Sequence, residues 1–250
     1  MYFRPLKVLI ACEESQRTCT EFRKLGHEAY SCDIQPCSGG HPEWHIKGDV
    51  LPLLNGNCTF TDELGGGHKI VGEWDLIIAH PPCTYLTNCA TRAFSLRVTP
   101  AEKVVERWEN RCKGAIFFMY FPLAHCKHIA VENPVGFMSK GYRKPNQIIH
   151  PYQFAENEND KENYVTKRTC LWTKNLPNLR TNNLPVPDLN KLFGTSPRGK
   201  AYTYVDRVNV NRAVNRSKTF KGIAHAFATQ WSEYILQEEE KEIKKSRKNK

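Results

Sequence analysis

Cys83 is the residue of this chain best placed to act as a nucleophile. It follows an Ile-rich apolar run, Leu76 to Ala79, and the turn His80-Pro81-Pro82. A short apolar run with an acidic residue before it and two prolines after it reads as a buried parallel strand that stops abruptly. The stiff turn holds the thiol at a fixed point, at the carboxyl edge where open α/β sheets bind ligands. A second predicted strand, His128 to Val131, ends in Glu132-Asn133-Pro134. A thiol and a carboxyl group are therefore expected at one sheet edge. A third strand, predicted over Val165 to Trp172, carries Lys167 and Arg168. Packing under a turn is the ordinary fate of a cysteine, and it is the company of Glu132 and Arg168 that argues for chemistry here.

The elements that must position these groups follow one another in β-then-helix order. Leu6 to Ala11 is a compact apolar strand, and Ser15 is expected to cap a helix that runs to Leu25 and ends at Gly26. Glu28 to Cys32 is a second strand, closed by Asp33. An acid roughly 20 positions beyond a first strand is spaced to meet ribose hydroxyls. The glycine-rich turn that accompanies that pattern is replaced by Cys12-Glu13-Glu14-Ser15-Gln16. Gly48-Asp49-Val50 offers a second carboxylate near a nucleoside base. Thr99-Pro100-Ala101-Glu102 opens a longer helix, whose Val104, Val105, Trp108, Cys112, Ala115, Ile116 and Met119 are expected in the core. Residues 57–72 read as a two-stranded excursion around a glycine turn. Together these predict an α/β domain with a doubly wound, mostly parallel sheet. Cys32, Cys37, His41 and His45 approach metal-ligand spacing without a Cys-x-x-Cys pair, so no metal is assigned to them.

At 250 residues the chain suffices for one catalytic domain and a small appendage. Its net charge of +10 is unevenly spread: residues 1–160 hold 17 basic against 18 acidic side chains, residues 161–250 hold 19 against 8. A basic module beside a near-neutral one suits an enzyme acting on a polyanion. Residues 174–216 are basic, proline-punctuated and poor in apolar periodicity, as a recognition segment would be. From Phe220 the pattern is helical, with Ile223, Phe227 and Trp231 on one face, and Lys241 to Lys250 is expected to be a disordered tail. The longest apolar stretch, Ala115 to Ala124, is too short to span a bilayer, and Met1 to Cys12 lacks a signal-cleavage region. Ten scattered cysteines without paired spacing fit a reducing compartment, so a cytoplasmic protein is expected.

A thiol and a carboxyl group at one edge have a specific use against a pyrimidine. Carbon 5 of cytosine is a feeble nucleophile. A thiolate adding to carbon 6, with a carboxyl group at N3 and the amino group, makes carbon 5 an enamine carbon able to attack an electrophile. Arg168 would favour the thiolate, and burial is expected to raise the pKa of Glu132 so that it presents a proton to N3. A base inside a duplex must first be flipped out and its phosphates gripped.

The ordered set Pro82-Cys83, Glu132-Asn133 and Lys167-Arg168 resembles the cytosine carbon-5 DNA methyltransferases, particularly compact phage- or prophage-type members, over most of residues 7–172 and Phe220 to Trp231. The resemblance implies a Rossmann-like S-adenosylmethionine-dependent methyltransferase fold with a small basic recognition segment. It implies a monomeric enzyme of the bacterial or phage-infected cytoplasm that acts on double-stranded DNA. It divides the chain into a catalytic domain (1–172), a recognition segment (173–216), a returning helix (217–238) and a tail (239–250). Carried over, Cys83 attacks carbon 6, Glu132 with Asn133 contacts the base, and Arg168 supports the site. S-adenosylmethionine falls to Ala11, Cys12, Glu13 and Ser15 in the first loop, Asp33 and Ile34 at the ribose, Gly48, Asp49 and Val50 near the adenine, and His80 and Pro81 beside the catalytic turn. The family's Phe-x-Gly-x-Gly loop is replaced, and repulsion of the methionine carboxylate by Glu13 and Glu14 is expected. Thr84 stands where Gln usually follows Pro-Cys, and Thr166 and Cys170 replace the outer Gln and Arg of the basic motif. The rival readings are an amino-methyltransferase acting on N4 of cytosine or N6 of adenine, and an inactive nucleic-acid-binding relative.

Overall fold

The strand at the centre of the sheet, β6 (Leu76–Ala79), is apolar at all of its positions because both of its faces are covered. The structure, a computed structural model, describes residues 4–188, 194, 199 and 218–248. β1 (Lys7–Ala11), α1 (Arg17–Lys24), β2 (Glu28–Asp33) and β3 (His45–Lys47) precede a small antiparallel hairpin, β4 (Thr59–Thr61) and β5 (Gly67–Lys69). After β6 come α2 (Ala101–Tyr120), β7 (Ile129–Pro134), α3 (Met138–Gly141), β8 (Gln147–Ile149), β9 (Thr169–Lys174), α4 (Lys221–Ala226) and α5 (Ser232–Lys248).

The seven-stranded sheet has the order β3-β2-β1-β6-β7-β9-β8. Its first five strands are mutually parallel, and β9 runs antiparallel to both β7 and β8. This is an α/β fold with a mostly parallel central sheet, compatible with a Rossmann-like architecture. Ala11 pairs with Cys32 and Ala79, and Ala79 pairs with Val131. The carboxyl ends of β1, β2, β6 and β7 therefore lie level along one edge. Pro134 pairs with Thr169, which brings the start of β9, and Lys167 and Arg168 just ahead of it, to that same edge.

Side chains alternate along β1 between two cores, as the period of two requires. Leu9 and Ala11 join Trp74, Phe118, Phe121 and Trp172 on one face. Val8 and Ile10 join Phe22, Ile223, Phe227 and Trp231 on the other. α4 passes through a π-turn (Phe227–Trp231) into α5, and the rings of Phe227 and Trp231 stack at 4.5 Å.

Three expectations are corrected. α2 buries Val104, Arg111 and Phe118, whereas Val105, Trp108, Cys112 and Ile116 are exposed. The apolar positions span more of the helix circumference than the sheet covers, and the covered stripe lies roughly a quarter turn from the exposed one. Of the tail expected at residues 239–250, residues through Lys248 are helical; Arg4 pairs with Glu239, and Lys127 with Glu238 and Glu242, at 3.1 and 2.9 Å. The recognition segment, 173–216, lies largely outside the described residues, but its first part belongs to the sheet domain. Leu179 N–H donates to Gln147 Oε1 (2.8 Å), Asn182 N–H to Gln153 O (2.9 Å), and Trp231 Nε1–H to Pro177 O (3.1 Å). Among the described residues no helix is long and apolar enough to cross a membrane.

Candidate functional site

Because Ala79 and Val131 are in register, the residues that follow them, His80 and Glu132, are neighbours across the sheet. His80 Nδ1 lies 3.1 Å from Glu132 Oε2. One residue further, Asn133 Nδ2–H donates to Pro81 O at 2.7 Å and ties the end of β7 to the Pro-Pro turn. The chain past Cys83 then coils tightly: Leu86 and Thr87 N–H both donate to Cys83 O, at 2.9 and 3.0 Å. It next zips against the chain past Glu132, with Phe137 N–H donating to Leu86 O (2.7 Å) and Asn88 N–H to Val135 O (3.1 Å). Gly136 is required here, since a Cβ would stand 1.9 Å from Leu86 O. The half-buried Cys83 thus sits in a turn braced directly by the Glu132 segment.

The electrostatics of Glu132 run opposite to the expectation. Burial does push its carboxyl upward, but the hydrogen bond and charge of His80, joined by the charge of Lys167, prevail and hold it below the ordinary carboxylate value. Burial without a partner would have raised it; the partner was not recognised because it is 52 residues away. Arg168, expected to support the site, is exposed, and its charge falls on His150 and Cys170. The half-buried Lys167 is the cation that acts on Glu132. Asn133 is engaged as a brace for Pro81, and the His80 side chain, 6% exposed, is engaged with Glu132. His80 Nε2 is buried and has no partner.

The first loop, Asp33 and Asp49 converge at the neighbouring stretch of the edge. Cys12 adopts φ 60°, the left-handed region that glycine ordinarily occupies. Its thiol is pushed up by burial, and the charges of Asp33 and Asp49 act in the same direction. Asp33 Oδ1 accepts from Gln35 N–H (2.9 Å) and Asp49 Oδ1 from Leu51 N–H (3.0 Å), which leaves each carboxylate a second oxygen. Gly48 N–H donates to Asp33 O at 2.9 Å. Ile34, immediately beyond Asp33, is 77% exposed. Ala11 and Ala79 pair side by side at the strand ends.

Other expected contacts are redirected. Glu13 turns into the protein and accepts from Thr18 and Cys19 N–H, at 2.7 and 3.1 Å. It satisfies the amino end of α1, a task expected of Ser15, which makes no capping bond. Glu14 is hydrogen-bonded by Ser38 Oγ. Both carboxylates are thus engaged by donors within the protein. Val50 is buried in the core. In the cysteine- and histidine-rich loop, His45 bonds Ser31 and Gln35, Cys37 donates to Gln16 Oε1, and His41 pairs with Glu43. Among the described residues no group of three or more His, Cys, Asp or Glu side chains is arranged to hold a metal.

No protein-family model matches the chain, and no curated protein matches its sequence.

Proposed function

We propose that the protein is a DNA cytosine-5 methyltransferase. The observation that carries this reading is the bracing of the Cys83 turn against the Glu132 segment at the carboxyl edge of a parallel sheet. Cys83, as thiolate, adds through Sγ to carbon 6 of an extruded cytosine, and the electron pair of the 5,6-double bond moves into the ring towards N3. Glu132 accepts from the cytosine amino group, and a proton held on His80 passes through Glu132 to N3. Carbon 5 then takes a methyl group, after which the carbon-5 proton leaves to water, the thiolate is expelled and the N3 proton returns through Glu132 to His80. Lys167 contributes positive charge beside Glu132.

S-adenosylmethionine, when bound, supplies the electrophilic methyl group. The residues at the edge suit it: Asp33 and Asp49 offer carboxylate oxygens to ribose hydroxyls and an amino group, and exposed Ile34 offers an apolar surface to a purine ring. Gly48 and the first loop flank these groups. The experiment is transfer of labelled methyl from S-adenosylmethionine to DNA, with bisulfite sequencing of DNA from an expressing host. Cytosines protected from conversion, lost in Cys83→Ser, support the reading. Label confined to exocyclic amino groups, or undiminished in Cys83→Ser, overturns it.

A further inference from the structure

Two residues beyond Cys83 the chain meets a cluster of arginines and aromatic rings that the chemistry above does not use. Arg111, on the buried side of α2, is 7% exposed. Its guanidinium lies 3.5 Å from the Phe94 ring centre and 4.9 and 5.2 Å from those of Trp108 and Phe137, and its Nε–H donates to Tyr85 O at 2.9 Å. Arg107, one helical turn earlier, stands over Tyr85 (5.3 Å) and Phe94 (5.1 Å), and its buried Nε has no partner.

Among the described residues neither arginine has a counter-ion. Among the described residues no carboxylate comes within ion-pairing distance of either. Burial, joined by the charge of Arg107, lowers the pKa of Arg111. Two like charges packed together and partly desolvated are costly unless an anion joins them. Planar guanidiniums held by aromatic faces are also pre-organised for the paired oxygens of a phosphate. The surrounding stretch, residues 84–113, carries six basic and three acidic side chains, although the first 160 residues are balanced overall.

We infer that Arg107 and Arg111 form a phosphodiester-binding site for the nucleic-acid backbone next to the base that Cys83 attacks. This deepens the methyltransferase reading, but its physical content is independent of methyl transfer. A base within reach of Cys83 places its flanking phosphates within one nucleotide's length, and Tyr85, two residues beyond Cys83, touches both arginines. Phe94 and Trp108 hold the guanidiniums in place, so the site is set before DNA arrives. The basic last third of the chain then grips more distant phosphates.

The test is fluorescence anisotropy of a labelled 25-base-pair duplex over a series of salt concentrations, with wild type, Arg107→Gln, Arg107→Lys, Arg111→Gln and, as a charge-matched control, Lys24→Gln at the carboxyl end of α1, away from the carboxyl edge of the sheet. Each neutralised phosphate contact contributes about 0.9 to the slope of log affinity against log salt. Arg107→Gln is expected to reduce the slope by about 1 and weaken binding several-fold at low salt. Arg107→Lys retains the slope, and Lys24→Gln changes it little. Thermal melts identify any variant that unfolds; Arg107, the less buried of the pair, decides the matter if Arg111→Gln does. A wild-type slope in Arg107→Gln, or a wild type that does not bind the duplex, overturns the site and leaves the cation–aromatic stack as packing alone. A reduced slope in a protein that transfers no methyl group upholds the site while the methyltransferase reading fails.

Discussion

His80 and Glu132 join across two parallel strands at 3.1 Å, one residue past the register pair Ala79 and Val131. In His80→Ala the burial of Glu132 is opposed only by Lys167, so its carboxyl pKa rises. If the ionised carboxylate is the working form, the acid limb of the pH–rate profile moves to higher pH. Activity near neutrality falls by roughly tenfold or more. His80→Gln, which keeps a donor, recovers part of the loss. An acid limb in the same place for His80→Ala and wild type would remove His80 from the mechanism.

Gly136→Ala tests the brace behind Cys83. The added methyl meets the Leu86 carbonyl at 1.9 Å, and backbone must move to admit it. Overpacking of this kind costs about 1–3 kcal/mol, measurable by urea unfolding. Because the displaced carbonyl belongs to the Cys83 turn, methyl transfer should fall further than the stability loss explains. A variant of wild-type stability and activity would show the two segments to be separable.

Glu13→Ala separates a structural glutamate from a cofactor ligand. Its carboxylate accepts from two N–H groups at the start of α1, and losing such a cap costs about 1–2 kcal/mol. The melting temperature is expected to drop, with the KM for S-adenosylmethionine within a few-fold of wild type. A large rise in KM at unchanged stability would return Glu13 to the cofactor site.

Glu238 on α5 provides an acid-sensitive tie between the terminal helix and the sheet. Burial works against its charge, but His128, Lys127 and Tyr234 outweigh it and hold its carboxyl at about 2. A carboxyl depressed in the folded state stabilises fully above its unfolded value of about 4.3, and that stabilisation is lost as pH falls through the folded value. Glu238→Gln should therefore melt below wild type at pH 6, with the difference shrinking from about pH 4 towards pH 2. A difference independent of pH would mean that packing, not charge, makes the contact.

Much of the edge was legible because strand ends have strong local signals. The Ile-rich run stopped by Pro81-Pro82, the strand before Glu132 and the acid after β2 each announce themselves within a few residues. Parallel order then puts Cys83, Asp33 and Glu132 on one side. The basic pair before β9 was recognised, but the side chain that matters to Glu132 is Lys167, since which of two adjacent residues faces the site depends on how the strand is seated. The exposed face of α2 was misread for a related reason: periodicity shows where apolar residues recur, while only the neighbouring sheet determines which of them it covers.

The amino-acid sequence by itself determined the alternation of strands and helices, the chemistry-bearing residues at their ends and the uneven charge. Those are properties of short windows and of composition. Tertiary structure alone decided that His80 partners Glu132, that Glu13 turns inward to α1, and that Arg107 and Arg111 stack among rings beside the Cys83 turn. These depend on register and packing between residues far apart in the chain, and a side chain's partner is set by whichever group folding brings within a few ångströms of it.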